Sequence, residues 1–220
     1  MRIAGDLADL ILGRCCCSCG AIGRTLCDLC EAHLDPRPVI VAPDPVASTF
    51  EYRSVARDVV LAYKEHGVRN LVHCLAYGLA QAVALALYAS DCPVSSHICL
   101  VPAPRRPGRD FDHAADLAIH AMRLLRTNGM SIDVARILTS STSVHLKHLG
   151  RQERQAAVAG TFAVTGHHRK LRRAHSQLIV VTDDVYTSGA TTREATRALR
   201  TAGLTVVGTA TAARTPAQLG

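Results

Sequence analysis

The sequence predicts a parallel α/β sheet flanked by helices, with a small cysteine-rich module in front of it. Short apolar runs rich in β-branched residues recur between helix-like segments, the alternation that parallel strands joined by crossovers require. Six of the nine cysteines fall between Cys15 and Cys30, and a proline-rich stretch separates that cluster from the alternating region. A chain of 220 residues with 48% hydrophobic content has room for one core of ordinary size and a small appendage.

The cysteine cluster comes first. Cys16-Cys17-Ser18-Cys19 and Cys27-Asp28-Leu29-Cys30 form two CxxC pairs, with Gly20 just after the first pair. Two such knuckles can place four thiolates around one tetrahedral zinc ion, and a short segment without its own core needs the metal to fold. Cys16, Cys19, Cys27 and Cys30 are the expected ligands, and Cys15 and Cys17 are spares that could exchange with a neighbour. A redox role would call for a strand context of thioredoxin type, which these CxxC pairs lack. Cys74, Cys92 and Cys99 stand in apolar surroundings and read as inert core residues.

The next segment, residues 35–45, carries four prolines in DPRPVIVAPDP and reads as a stiff linker. It divides the chain into a zinc-binding module over 1–45 and a larger domain over 46–220. A helix is expected over 55–65 and a longer one over 71–89. The second approaches the length and apolarity of a membrane span, but His73 and Gln81 interrupt it, and Leu71, Leu75 and Leu79 recur at the spacing of a packed helix face. A buried helix and no membrane insertion are expected. Strands are expected at 97–103, 132–138, 178–182 and 205–211. Between Thr191 and Gly203, the residues Ala195, Ala198, Leu199 and Ala202 share one helix face, with Gly203 suited to the C-terminal cap.

Asp183 and Asp184 stand where the apolar run Leu178–Thr182 gives out. In open parallel sheets ligands bind beyond the carboxyl ends of the strands, so this pair occupies the position of site residues. Thr187-Ser188-Gly189-Ala190-Thr191 follows at a helix start, with small side chains, three hydroxyls and a glycine that permits close backbone approach. Unpaired backbone N–H groups and the helix dipole point there at one anion, as in a phosphate nest. Each half alone is an ordinary turn or an ordinary N-cap, but their succession in this order calls for more.

The run Val180 to Thr191 resembles the phosphoribosyl pyrophosphate (PRPP) motif of type I phosphoribosyltransferases, in the form it takes in the ComF family of competence-associated proteins. The family's turn reads Thr-Thr-Gly-Ala-Thr, and Ser188 keeps a hydroxyl at the departing position. The resemblance covers almost the whole chain in order, including an N-terminal double-CxxC zinc ribbon. It implies a type I phosphoribosyltransferase fold in which Asp183 and Asp184 bind the ribose hydroxyls and act at the catalytic centre. Thr187, Ser188, Gly189, Ala190 and Thr191 would hold the 5-phosphate.

Tyr63-Lys64-Glu65-His66-Gly67 and Val101-Pro102-Ala103-Pro104 resemble two further family segments. They imply pyrophosphate contacts from Lys64, Arg105, Arg106 and Arg109, with magnesium sharing the charge of the leaving group. The family's Arg-Gly-Phe-Asn-Gln is replaced by Arg109-Asp110-Phe111-Asp112-His113. Its mobile-loop glutamine, leucine, arginine and asparagine correspond to Leu146, Leu149, Arg154 and Ala157. Loss of the two amides bears on the nucleophile and leaves the PRPP motif intact. His145 and His148 lie in the same loop and receive no ligand role.

The formal charge of +7 and pI near 9.1 favour anionic partners without choosing between a phosphorylated small molecule and nucleic acid. The basic run His167 to His175 reads as an exposed loop and, on the alternative reading, as a salt-sensitive phosphate contact. Residues 1–14 have acidic groups where a signal peptide needs a basic start, so a reducing, cytoplasmic compartment is expected. Two functions follow from the resemblance. One is an enzyme transferring the phosphoribosyl group of PRPP to a nitrogen nucleophile. The other is a non-catalytic protein of DNA uptake, handling single-stranded DNA and competence-machinery partners, with a regulatory or vestigial PRPP site.

Overall fold

The computed structural model describes residues 15–42, 44–93, 95–105, 111–141, 151–165 and 177–216. In it a mixed, mostly parallel sheet is flanked by helices on both faces. The strand order is β1 (Val39–Val41), β2 (Val46–Glu51), β8 (Val206–Arg214), β7 (Gln177–Tyr186), β3 (His97–Pro102) and β4 (Ile132–Val134). Within this sheet β1 and β2 alone are antiparallel. β5 (Leu138–Ser140) and β6 (Phe162–Val164) form a separate antiparallel pair.

The central strands read as continuous apolar runs because both of their faces are covered. Along β3, Ile98 and Leu100 enter one core, and Cys99 and Val101 enter the other. The first core lies under α2 (Ser54–Glu65), α3 (Val72–Ala89) and α4 (His113–Thr127). The second lies under α6 (Ala190–Thr201), with the β5–β6 pair and α5 (Arg151–Val158) packed around it. Ala195, Ala198 and Leu199 of α6 are buried in this second core, as their helical spacing predicts. Burial of Cys99 among apolar neighbours pushes its thiol up to about 12, so it stays protonated and inert.

α3, with the single turn Arg69–Leu71 before it, is long and apolar enough to cross a membrane by length and composition. Leu75, Ala76, Leu79, Ala82 and Val83 are nevertheless buried against the sheet. Small residues let the helix lie close. A Cβ added at Gly78 would sit 2.2 Å from the Phe50 ring of β2, and Thr49 Oγ1 donates to the Gly78 carbonyl at 2.6 Å.

Several elements differ from their sequence-based expectation. The proline-rich stretch contains β1, an edge strand, where an unpaired linker is expected. Its prolines flank the paired residues and so remove no ladder donor from within the strand. β2 carries no apolar-run signal, because Ser48 and Thr49 are among its buried residues. The run 132–138 forms only the short β4 and the start of β5. The run 178–182 is the first half of a longer strand, since β7 continues through Asp183 and Asp184 to Tyr186.

The cysteine-rich segment joins the main core. Cys16, Leu26 and Cys30 cluster with Leu71, Val72 and Leu75, Ser18 Oγ donates to Asp58 Oδ2 at 2.8 Å, and Asn70 Nδ2 donates to Thr25 Oγ1 at 2.9 Å. α1 (Asp28–Ala32) carries the second CxxC pair into this contact. Residues 1–14, Arg106, Arg109, Asp110, Leu146, Leu149, His145, His148 and the basic run 167–175 lie outside the described residues.

The Gly78 contact makes packing of α3 on β2 testable. Gly78→Ala is expected to destabilise the fold by about 1–3 kcal/mol through overpacking against Phe50. In urea unfolding this appears as a lower midpoint with an unchanged slope; an unchanged midpoint would show that the helix and ring separate freely.

Candidate functional site

The site begins where the sheet loses one of its ladders. β7 pairs with β3 only as far as Pro102 opposite Thr182, whereas its pairing with β8 continues through Asp183 opposite Thr211 to Tyr186 opposite Arg214. Residues Asp183–Tyr186 therefore overhang β3, and Asp183, Asp184 and Val185 line a cleft. Alternation along the strand sends Asp183 toward the α6 side and Asp184 toward α2.

Asp184 is only 7% exposed and is paired with Lys64 of α2, Nζ to Oδ2 2.5 Å. Its Oδ1 accepts the Val185 N–H at 2.7 Å. Burial alone would raise this carboxyl, but the Lys64 ammonium and the Val185 N–H outweigh it and hold the group below the usual carboxylate range. Asp183 is half-buried, and its Oδ1 accepts the Asp184 N–H at 2.9 Å. Beside the pair, Tyr63 OH donates to Asp116 Oδ2 at 2.8 Å, and burial together with Asp116 keeps the phenol protonated far above its ordinary range.

The turn that follows β7 is made by glycine chemistry. Gly189 takes φ +75°, the left-handed region, and is the N-cap of α6. Its carbonyl accepts the Arg193 N–H at 2.9 Å and the Thr192 hydroxyl at 3.1 Å. A Cβ at Gly189 would meet Asp44 Oδ2 at 2.5 Å, so the position requires glycine for its conformation and for its space.

A cleft of about 590 Å³ joins the acidic overhang to this turn. Lys64, Arg105, Asp183 and Asp184 line it, as do Thr187, Ser188, Ala190 and Thr191. Gly189 forms the turn between them. Phe111 and His113, edge to face with ring centroids 4.8 Å apart, also line it, as do Ser140 and Phe162 of the small β5–β6 sheet and Val158 of α5. The small sheet is tied to α6 by Glu194, which accepts the Phe162 N–H at 3.1 Å and pairs with Arg197.

The sequence expected Lys64 as a pyrophosphate contact; its shortest described partner is the Asp184 carboxylate, a pairing that sequence distance concealed. Asp112, one of the family departures, caps α4 through Ala115 N–H and pairs with Arg136 at 3.0 Å. Arg154 lies on α5, and its side chain is outside the described residues. Ala157 on the same helix is half-buried against the second core. A second, more apolar cavity of about 680 Å³ lies behind α6, between its arginine-bearing side and the amino-terminal half of β8.

The other cluster is metallic in character. The Sγ atoms of Cys16, Cys19, Cys27 and Cys30 all lie within 4.8 Å of one another, with Cys19 and Cys27 at 3.6 Å. A tetrahedral ion with metal–sulfur bonds of about 2.3 Å needs sulfur–sulfur edges of about 3.8 Å, so this set is capable of chelating one metal ion. Burial pushes the Cys16 thiol up, but N–H groups of Cys19, Cys27 and Ser18 outweigh it and lower the value to about 6, favouring the thiolate that ligation needs. Cys17, pushed up to about 11 by burial and the nearby Cys16 thiolate, stands outside the set.

Acid titration tests the Lys64–Asp184 pair. Because the folded-state value is the lower one, the pair stabilises the fold above the ordinary carboxylate pKa of 3.8, and that contribution is lost as pH falls through the folded value. Lys64→Met, which leaves a buried carboxylate without its cation, is expected to cost about 3 kcal/mol at neutral pH. Asp184→Asn is expected to flatten the acid limb of the stability profile; an unchanged limb would mean that the pair contributes nothing.

No protein-family model matches the chain, and no curated protein matches it.

Proposed function

We propose that the cleft binds PRPP with magnesium and that the chain is a ComF-like, type I phosphoribosyltransferase-domain protein. The observation that carries this reading is the meeting, in one cleft, of the overhanging Asp183–Asp184 pair with the left-handed Gly189 turn at the start of α6. A ribose with a terminal phosphate presents two hydroxyls at one end and an anion at the other, the complement of that pair and that turn. Lys64 and Arg105 line the acidic end, where a pyrophosphate would leave.

In the reaction proposed, the bond between the ribose anomeric carbon and pyrophosphate breaks and a bond to a nitrogen nucleophile forms at the same carbon. The nucleophile's proton is released, and pyrophosphate departs with the electron pair. Magnesium, when bound with PRPP, would neutralise charge on the leaving group. The carboxylates of Asp183 and Asp184 orient the sugar and favour the positive charge that develops on it, and the small sheet lining the cleft limits access of water.

A second reading keeps the binding site without the transfer. Ala157 stands at the family's asparagine position and packs against the apolar core, where it offers no amide to a nucleophile. With the net charge of +7, this favours a PRPP-responsive protein that handles single-stranded DNA in DNA uptake. Both readings place the protein in the cytoplasm, and both assign structural zinc to the four-cysteine site.

Calorimetric titration with PRPP, with and without magnesium, tests the site that both readings share, and release of pyrophosphate separates them. Binding that needs magnesium and weakens at least about tenfold in Asp183→Asn supports the site, since a lost charged hydrogen bond is of that size. Pyrophosphate release with an amine or base acceptor would establish the enzyme. Salt-graded binding of single-stranded DNA without any PRPP binding would overturn the PRPP reading in both forms.

Metal analysis tests the ribbon. One zinc per chain is expected, reduced to well under half in Cys27→Ser, with a lower Tm for the apo form because the metal site joins the main core. A chain that keeps its Tm after chelation would show that these thiols do not hold a structural ion.

A further inference from the structure

Behind the turn, on the side away from the cleft, Tyr186 and Arg193 from either side of it converge on Asp44 from a distant part of the chain. Arg193 of α6 donates from one guanidinium nitrogen to the Ser188 carbonyl at 2.9 Å, and its other terminal nitrogen is paired with Asp44 Oδ2. Tyr186, the last residue of β7, donates its hydroxyl to the same Asp44 oxygen at 3.0 Å. Asp44 occupies the space that a side chain at Gly189 would need.

Helix energetics do not explain this arrangement. Arg193 lies in the first turn of α6, where the positive end of the helix dipole disfavours a cation. The Asp44 carboxylate and the Ser188 carbonyl offset that cost and hold the guanidinium in one place. In a trans peptide the carbonyl and the following N–H point in opposite directions. A guanidinium that holds the Ser188 carbonyl to the rear therefore turns the Gly189 N–H away from itself.

We propose that Arg193, anchored by Asp44 and Tyr186, is a positioning residue that pre-orients the Ser188–Gly189 peptide to receive the ligand's 5-phosphate. The proposal rests on the PRPP reading of the cleft and adds to it a specific device. The turn is held rigid from behind by a charged residue that never touches the ligand. It also gives the segment before β2 a role: Asp44 carries the anchor that a mere linker would not need. A preformed donor avoids the ordering cost that a mobile loop would meet on binding.

The test uses the full chain with its metal bound. PRPP with magnesium is titrated into wild type, Arg193→Met, Asp44→Asn and the control Arg200→Met, whose guanidinium lies in the last turn of α6 and donates to the Val206 carbonyl at 3.4 Å. Phosphorus NMR then reads the three phosphorus atoms of the bound ligand separately. Arg193→Met is expected to weaken binding about tenfold, the size of one charge-assisted hydrogen bond. The binding-induced shift of the 5-phosphate should shrink while those of the pyrophosphate persist. Asp44→Asn should act in the same direction, and Arg200→Met should match wild type.

If Arg193→Met binds like wild type, the positioning role is overturned and the PRPP site stands. If all three phosphorus signals lose their shifts together with a fall in Tm, Arg193 serves the fold alone and the role is again overturned. If wild type binds no PRPP, the reading of the cleft fails, and the proposal fails with it.

Discussion

The unequal pairing of β7 with its two neighbours is the constraint on which the site depends. β3 stops at Pro102, which opens the Ala103–Pro104 loop, while β8 accompanies β7 as far as Tyr186. A strand paired on both edges to its end would have carried Asp183 and Asp184 into a sheet with no opening beside them. The overhang keeps their backbone fixed by one ladder while the other edge faces a cleft. Rigid support with one open side is the condition for holding a ligand without reordering the chain.

A buried carboxylate within that overhang needs a cation, and α2 provides it. Lys64 lies near the end of this helix, whose apolar face, including Val59, Val60 and Tyr63, is anchored in the first core. The cysteine segment packs against the same core and bonds to α2 through Ser18 and Asp58. The four-cysteine module thus helps to place the helix that neutralises Asp184. The coupling is mechanical, through shared packing, and needs no direct contact between the four thiols and the cleft.

The turn at Gly189 shows the same economy of support. Its conformation needs glycine, its space is filled by Asp44, and its carbonyl edge is held by Arg193. The small β5–β6 sheet is linked to the same helix through Glu194, so that one element, α6, carries the turn at its start and a lining of the cleft along its side.

What the chain's own order of residues determined were features of short range. The parallel strands β3, β7 and β8, the helices α2, α3 and α6, the acid pair, the glycine turn and the four clustered cysteines all announce themselves within windows of a few to about twenty residues, because hydrophobic period, turn chemistry and CxxC spacing are local properties. Tertiary structure alone decided how those pieces answer one another. Asp184 meets a lysine on α2, and Asp44 meets an arginine 149 positions away in the chain. β2 was hidden because its hydroxyl-bearing residues are buried by neighbours that no local window contains. Burial and charge pairing are properties of the environment, and only the folded chain supplies the environment.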